Sequence, residues 1–268
     1  MAKDKINVDT LRQMKAEGRK ICALTAYDYP SARILDEVGI EILLVGDSLA
    51  NVVLGYETTL SATMKDMARH TAAVARGATR ALVVADMPFL SYHPSAREAL
   101  RNAGRLLQSG ARAVKLEGGS DLAATVRQLV SAGIPVMGHL GYTPQSVHLF
   151  GSHVVRGRTE EEGDRLARDA LALQEAGCFS IVLECITASL AARITASLQI
   201  PTIGIGAGPD CDGQVLVLHD ILGLVFGPKL KHVKVYADLK EPIRRAVASY
   251  MAEVRGGVFP SPEQSFED

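Results

Sequence analysis

Ionisable side chains follow several short apolar runs in this sequence, close to where each run ends. Asp47 and Asp86 come after two of the runs, Lys115 and Glu117 lie at the end of a third, and Glu184 directly follows another. The carboxyl ends of parallel strands in a barrel meet at one face, which is where barrel enzymes carry their chemistry. If the runs are parallel strands, these five side chains therefore converge on one site.

Several carboxylates in one site would repel one another and raise each other's pKa. A divalent cation removes this repulsion, and Asp and Glu oxygens are the hard ligands that Mg2+ takes, usually in small number and together with water. Zinc fits less well, because Cys and His do not occur here at the spacings of zinc sites. The carboxylates therefore favour a Mg2+ ion at the strand ends.

Each of these residues also has a purely structural interpretation. An Asp after a strand is often a helix N-cap, so Asp47 or Asp86 alone fits a cap as well as a site. Lys115 and Glu117 share one strand face and could form a structural ion pair. His139 could be a core histidine, and the glycine-rich residues 204–208 a tight turn or a phosphate cradle. Polar residues closing five successive strands favour the functional interpretation.

The elements that position these residues alternate along the chain. Eight continuously apolar runs have the length of strands buried on both faces. They span residues 21–26, 42–45, 81–85, 113–116, 136–140, 180–183, 202–205 and 215–218. Helical patterns lie between them; Ser95 with Glu98 and Thr159 with Glu162 have the spacing of capping boxes. Five glycines follow helical stretches just before strands, where a left-handed residue often ends a helix: Gly39, Gly77, Gly110, Gly133 and Gly177.

An eightfold strand–helix unit predicts a closed (β/α)8 TIM barrel, and 268 residues suffice for one. An open doubly wound sheet is the alternative, because it gives the same local signals. With no linker in the chain, we predict one domain over residues 1–268, with a leading helix at 10–17, a closing helix at 241–254 and an irregular tail from Gly256. The long connections at residues 47–61 and 141–159 are candidate functional loops.

Composition excludes several classes of partner. The net charge is −1, basic residues are scattered and aromatic residues make up 5%, so we expect no nucleic-acid partner. No apolar run is long enough to span a membrane, and residues 1–9 lack the apolar core of an export signal. The four cysteines form no Cys-x-x-Cys pair, which is typical of reduced thiols. We therefore expect a cytoplasmic enzyme of small molecules.

The sequence resembles the ketopantoate hydroxymethyltransferase family in an ordered series of short motifs. They are LTAYD (24–28), VGDSL (45–49), ADMPF (85–89), KLEGG (115–119), GHLG (138–141), TPQS (143–146), LEC (183–185), IGAG (205–208) and DGQ (212–214). Each motif is weak alone, but in this order they cover nearly the whole chain. The resemblance implies a barrel of the phosphoenolpyruvate/pyruvate type, a homo-oligomer that is often a decamer, and a place in pantothenate biosynthesis.

The resemblance also implies roles for individual residues. Asp47, Asp86 and Glu117 would hold Mg2+, some through water, and Asp47, Ser48, Asp86 and Lys115 would contact the 2-oxo acid. Glu184 would be the base that removes the C3 proton of 3-methyl-2-oxobutanoate. The resulting enolate, stabilised by Mg2+, would take a hydroxymethyl group from 5,10-methylenetetrahydrofolate and give 2-dehydropantoate (ketopantoate).

Two other functions stay open at this point. A related metal-dependent lyase would cleave a C–C or P–C bond of an oxo acid. Such enzymes rely on a catalytic cysteine loop of the Lys-Cys-Gly-His kind, and this sequence has no such run. A catalytically silent barrel that serves as a scaffold is compatible with the fold, since fold does not imply function. The set of Asp47, Asp86, Lys115, Glu117 and Glu184 argues against a scaffold.

Overall fold

The structure, a computed structural model, describes residues 5–150, 154–227 and 230–266. Eight parallel strands, paired in sequence order, form a closed barrel in the described residues, with β1 hydrogen-bonded to β8. The strands are β1 Ile21–Thr25, β2 Ile42–Val45, β3 Leu82–Asp86, β4 Ala113–Glu117, β5 Val136–Gly141, β6 Ser180–Glu184, β7 Thr202–Ile205 and β8 Gly213–Leu216. The (β/α)8 prediction is confirmed, and the open-sheet alternative is wrong.

Helices separate most of the strands. They are α1 Val8–Ala16, α2 Tyr29–Val38, α3 Leu49–Val52, α4 Met64–Gly77, α5 Ala96–Gln108, α6 Ala123–Ser131, α7 Val147–Phe150, α8 Glu160–Glu175, α9 Ala188–Ser197, α10 Leu218–Ile221 and α11 Lys240–Arg255. Single 3-10 turns occur at Thr59–Ser61, Ser120–Leu122, Pro144–Ser146 and Pro262–Gln264. The leading helix starts two residues before the predicted position because Asn7 caps it.

Two layers of apolar side chains surround the strands. One layer, including Ile42, Leu82 and Ile203, fills the interior of the barrel. The other, including Leu43, Val83 and Ile181, packs between the strands and their covering helices. Because successive side chains of a strand point to opposite faces, a strand buried on both faces must be continuously apolar, as the sequence predicted.

The eighth strand corrects the prediction. It begins at Gly213 and ends at Leu216, whereas the apolar run placed it at residues 215–218. Gly213 pairs with Ile21 across the closure of the barrel, and a Cβ atom on it would lie 2.4 Å from the Ile21 carbonyl oxygen. Leu218 instead begins α10. A glycine chosen for close backbone approach carries no apolar signal, so the start of this strand was missed.

Helix boundaries follow local chemistry that the sequence predicted in part. Ser95 and Thr159 cap α5 and α8 by accepting from Glu98 N and Glu162 N, but neither box is completed by the glutamate. Four of the five helix-end glycines have positive φ, as predicted. Gly77 is the exception: it lies inside α4, and a Cβ there would come within 2.7 Å of the Tyr29 carbonyl oxygen. Its role is close packing of α4 on α2.

The chain divides into two compact units, Met1–Val217 and Leu218–Asp268. The barrel lies in the first unit. The second contains α10, α11 and the turn at Pro262–Gln264, and the predicted closing helix corresponds to α11. The single domain over residues 1–268 stays a prediction. No helix among residues 5–150, 154–227 and 230–266 is both long and apolar enough to cross a membrane.

Candidate active site

The predicted strand-end residues lie at the carboxyl ends of β2 to β6. Parallel register pairs Lys115 with Asp86 and Glu117 with His139 on adjacent strands. Asp47, Asp86, Lys115, Glu117 and His139 each expose 5% of their surface or less. The side chain of Glu184 is the most accessible of the group at 13%. Buried charges persist only when they are paired, so their partners define the site.

Asp47 and Asp86 are adjacent, and neither is a helix cap. The backbone N–H of Asp47 donates to Asp86 Oδ2 at 3.0 Å. The N-cap positions of the following helices are occupied by Ser48, which makes no side-chain capping bond, and by Ser95, which accepts from Glu98 N. The N-cap interpretation is therefore wrong for both aspartates. Burial, followed by the charges of Asp86 and Glu117, raises the pKa of Asp47 well above its usual range. Burial also raises the pKa of Asp86, although Lys115 opposes the rise.

Lys115 and His139 connect the remaining carboxylates. Lys115 Nζ lies 3.2 Å from Asp86 Oδ1, 3.9 Å from Glu117 Oε1 and 3.1 Å from His139 Nδ1. His139 Nδ1 is 3.3 Å from Glu117 Oε1, and its Nε2 is 3.1 Å from Glu184 Oε2. His139 is buried as a core histidine would be, but its ring nitrogens lie beside two acidic residues of the site.

Opposing effects set the pKa values of His139 and Glu117. Burial and the charge of Lys115 lower the pKa of His139, but the contacts to Glu117 and Glu184 outweigh them and raise it to about 9. Burial raises the pKa of Glu117, but His139 and Lys115 more than compensate, and it falls below its usual value. Four carboxyl groups thus face two cationic groups, and the raised pKa values of Asp47 and Asp86 reflect this imbalance together with their burial.

Ser48 lies beside Asp47 with its hydroxyl held by a buried tyrosine. Tyr27 Oη and Ser48 Oγ are 2.8 Å apart. Gly46 makes this approach possible, since a Cβ atom on it would lie 2.8 Å from Ser48 Oγ. A hydroxyl in this position can donate to an anionic group of a small ligand.

Two site residues, Gln145 and Tyr92, were not predicted. Gln145 Nε2 donates to Asp47 Oδ2 at 2.9 Å and to the Met87 carbonyl at 3.0 Å. The Tyr92 hydroxyl donates to Gln145 Oε1 at 2.7 Å. Gln145 falls within the long connection at residues 141–159, and its place in the TPQS motif is the one signal for it in the sequence. Its partners come from other strands, so no local pattern identifies them.

The residues after β7 form a tight turn. Gly206 and Gly208 have positive φ, and Gln214 Nε2 donates to the Gly208 carbonyl at 2.9 Å. The four cysteines, all within the described residues, form no disulfide. Cys185, next to Glu184, is buried, and burial followed by the charge of Glu184 raises its pKa to about 11. A protonated thiol at neutral pH is a poor nucleophile, so the cysteine next to the site has no catalytic signature.

The site fits a hard cation that takes few protein ligands. Asp86 Oδ1 and Glu117 Oε1 are buried and accept no well-formed hydrogen bond from the described residues. A divalent ion would favour the ionised forms of Asp47 and Asp86, whose pKa values are raised in its absence. In the described part of the chain, no three His, Cys, Asp or Glu side chains converge closely enough to bind one ion together. The adjacent pair Asp47 and Asp86, completed by water, is the arrangement that Mg2+ accepts.

The fold and this cluster define a (β/α)8-barrel enzyme with an acidic site at the carboxyl ends of its strands. Solved barrels are similar over almost the whole chain. Phosphonopyruvate hydrolase in complex with oxalate and Mg2+ has a TM-score of 0.61 at 14% identity, covering 98% of this chain and 92% of its own. A 2,3-dimethylmalate lyase, a member of the PEP mutase/isocitrate lyase superfamily, has a TM-score of 0.61 at 18% identity. The match covers 97% of this chain and 91% of the lyase chain. At these identities the likeness shows the fold alone.

Sequence comparison is more specific. A profile described as ketopantoate hydroxymethyltransferase matches residues 5–262. The 3-methyl-2-oxobutanoate hydroxymethyltransferase of Acetivibrio thermocellus is 56% identical, covering 98% of this chain and 94% of the relative. The enzyme of the same name from Syntrophus aciditrophicus is 57% identical, covering 98% of this chain and 97% of the relative. The chain therefore belongs to the ketopantoate hydroxymethyltransferase family, and it is an enzyme.

Proposed function

We propose that this enzyme transfers a hydroxymethyl group from 5,10-methylenetetrahydrofolate to 3-methyl-2-oxobutanoate, giving 2-dehydropantoate (ketopantoate) in the first step of pantothenate biosynthesis. The single observation that carries the proposal is the buried cluster of Asp47, Asp86, Lys115 and Glu184 at the strand ends, connected through His139. Full-length relatives at 56–57% identity that carry the hydroxymethyltransferase name support it.

Asp47 and Asp86 would hold Mg2+, with Glu117 acting through water. Both Glu117 oxygens already face protein groups, because Oε1 lies 3.3 Å from His139 Nδ1 and Oε2 accepts from Gln145 N at 3.0 Å. When bound, Mg2+ supplies a Lewis acid for the keto oxygen, an effect worth several kcal/mol of charge stabilisation. A barrel of the same fold has been solved with oxalate and Mg2+, which is consistent with this assignment.

The protein groups would position the 2-oxo acid and neutralise its charge. Lys115, buried and in contact with Asp86, supplies a fixed positive charge beside the substrate. Such a charge stabilises a developing enolate more strongly in a buried site than in water. Ser48, next to Asp47, can donate its hydroxyl proton to the substrate carboxylate while Tyr27 fixes its direction.

Glu184 would remove the C3 proton. It is the most accessible carboxylate of the cluster and sits at the end of β6, facing the same mouth as Asp47. His139 Nε2 lies 3.1 Å from Glu184 Oε2 and forms an ion pair with it when the imidazole is protonated. A positioned general base typically contributes about 10²- to 10⁴-fold to the rate.

Proton exchange at C3 separates this step from the later transfer. Incubated with 3-methyl-2-oxobutanoate and Mg2+ in D2O, the wild type is expected to exchange the C3 proton, and adding 5,10-methylenetetrahydrofolate should yield ketopantoate. Glu184→Gln should lose exchange by about 10²-fold or more, because the amide cannot accept the proton. NMR follows the C3 signal directly.

The possible results distinguish the candidate functions. Exchange at the wild-type rate in Glu184→Gln would show that the base lies elsewhere. Wild-type exchange without product would point to a lyase-like reaction of the same enolate. No exchange by the wild type would contradict the proposed function.

A further inference from the structure

Gln145 lies in the long loop after β5 and contacts one of the metal-binding carboxylates proposed above. Its side chain is 5% exposed and makes three polar contacts. We propose that Gln145 is a positioning residue that orients the Asp47 carboxylate for binding the divalent cation. This inference rests on the proposed function, because it needs a cation at Asp47.

The hydrogen bonds fix the direction of the amide. Glu117 N donates to the Tyr92 hydroxyl oxygen at 3.1 Å, and two acceptors lie within reach of the hydroxyl proton. They are the Glu117 carbonyl at 3.1 Å and Gln145 Oε1 at 2.7 Å, and the shorter contact is the one to Gln145. With its oxygen facing Tyr92, the amide must direct Nε2 to Asp47 Oδ2 and to the Met87 carbonyl. A flipped amide would place its oxygen against two acceptors. The orientation therefore follows from the partners.

An amide is chemically suited to this place. It donates to Asp47 without adding a charge to a cluster that already holds four carboxylates. A carboxylate here would increase the repulsion, and an ammonium group would compete with the metal for Asp47. Because Oδ2 of Asp47 is held by the amide, its other oxygen is left in a defined direction for the ion. Residues that orient metal ligands in this way typically change metal affinity by about 10- to 100-fold when replaced.

The backbone of Gln145 ties the same contact to the loop. Its N–H donates to Glu117 Oε2 at 3.0 Å, and the residue lies in the 3-10 turn Pro144–Ser146. One residue of the β5 loop thus contacts the ends of β2, β3 and β4. Displacing it would release Asp47 and Glu117 together, while leaving the strands themselves intact.

The experiment is a Mn2+ titration followed by electron paramagnetic resonance, which measures free Mn2+ without turnover. Gln145→Leu keeps the approximate volume and removes the amide. Gln174→Leu is the matched control, because Gln174 is another glutamine whose side chain is hydrogen-bonded. Its Oε1 accepts from the backbone N–H groups of Gln199 and Ile200, but it lies at the end of α8, away from the strand carboxyl ends. Circular dichroism and thermal unfolding check that each variant is folded.

We expect Gln145→Leu to bind Mn2+ about 10- to 100-fold more weakly than the wild type, and Gln174→Leu to bind within twofold. The apparent activation constant for Mg2+ should rise correspondingly, while kcat at saturating Mg2+ changes less. Wild-type Mn2+ affinity in Gln145→Leu would overturn the inference.

A second variant, Tyr92→Phe, tests the inference if Gln145→Leu does not fold. Tyr92→Phe removes the hydroxyl that fixes the amide, and the loss of one hydrogen bond should weaken Mn2+ binding by about 2- to 10-fold. If Gln145→Leu does not fold and Tyr92→Phe binds Mn2+ like the wild type, the inference is overturned. Failure of the wild type to bind Mn2+ is a different result, because it contradicts the metal site of the proposed function itself.

Discussion

At the scale of single residues, the position of Glu184 depends on a glycine of the neighbouring strand. Gly141 pairs with Glu184 between β5 and β6 and has φ +99°, a conformation that favours glycine. A Cβ atom on Gly141 would lie 2.1 Å from the Glu184 carbonyl oxygen. The next residue, Tyr142, donates its N–H to that same oxygen at 2.8 Å. The backbone that carries the proposed base is therefore fixed by steric contact and by a hydrogen bond.

Gly141→Ala should displace Glu184 and lose activity. A displacement near 1 Å at a reacting group typically costs about 10²-fold in rate, and we expect a loss of that order in C3 proton exchange. Gly133→Ala is the control, because Gly133 has φ +81° and nothing within 4 Å of its Cβ position. It should lose about 1–2 kcal/mol of stability from backbone strain alone. Equal exchange rates in the two variants would contradict the positional role of Gly141.

At the scale of elements, a buried aspartate holds the entry to β3. Asp36 on α2 is 4% exposed and accepts hydrogen bonds from the backbone N–H groups of Thr79, Arg80 and Ala81 and from the Thr79 hydroxyl. Burial raises the pKa of Asp36, but these hydrogen bonds outweigh burial and lower it below its ordinary value. Since β3 ends in Asp86, this contact anchors the strand that delivers a site carboxylate.

Asp36→Asn should destabilise the protein in a pH-dependent way. Because the folded pKa lies below the unfolded value of about 3.9, the carboxylate stabilises the fold above that pH. Its contribution disappears as the pH falls through the folded pKa. We expect a loss of about 1–3 kcal/mol at pH 7 that shrinks below about pH 4, measured by urea unfolding.

Asp28→Asn provides the control on the same helix. Asp28 caps α2 by accepting from Ser31 N, and asparagine caps a helix about as well as aspartate. Its free energy of unfolding should therefore stay within about 0.5 kcal/mol of the wild type. A difference between wild type and Asp36→Asn that does not vary with pH would contradict the electrostatic origin.

The elements were largely predictable because their signals are local. Strands β2 and β7 match the predicted limits, since bilaterally buried strands are continuously apolar. The predicted position of strand β8 was wrong because Gly213 packs closely against Ile21, which lies far away in the sequence. Gly77 was misassigned for the same reason, as its constraint comes from α2. Where the residue type is required by a contact with a residue distant in sequence, the local sequence pattern does not indicate it.

At the scale of the whole molecule, the site joins residues that are far apart in sequence. Asp47, Lys115 and Glu184 come from β2, β4 and β6, and the barrel register brings them together. The strand-end rule therefore predicted the carboxylates without any side-chain geometry. Gln145 and Tyr92 escaped it because both lie in loops, where position depends on tertiary contacts. Their exact role appears only in the hydrogen-bond network around Asp47.

The second unit bears on assembly. Helix α11 buries none of its side chains. Exposed apolar residues occur along it at helical spacing, among them Ile243, Val247, Tyr250 and Val254. An exposed stripe of this kind is consistent with the homo-oligomer that the family resemblance implies. The decamer and the cytoplasmic location stay predictions.

The proposed function depends on a divalent cation that Asp47 and Asp86 hold against the 2-oxo acid at the mouth of the barrel. A crystal structure with Mn2+ and 3-methyl-2-oxobutanoate, measured at a wavelength where Mn2+ scatters anomalously, tests it most directly. We predict an anomalous peak in contact with carboxylate oxygens of Asp47 and Asp86 and with the keto oxygen of the substrate. A peak at another place, or substrate bound there with no metal at saturating Mn2+, would contradict the proposed metal site.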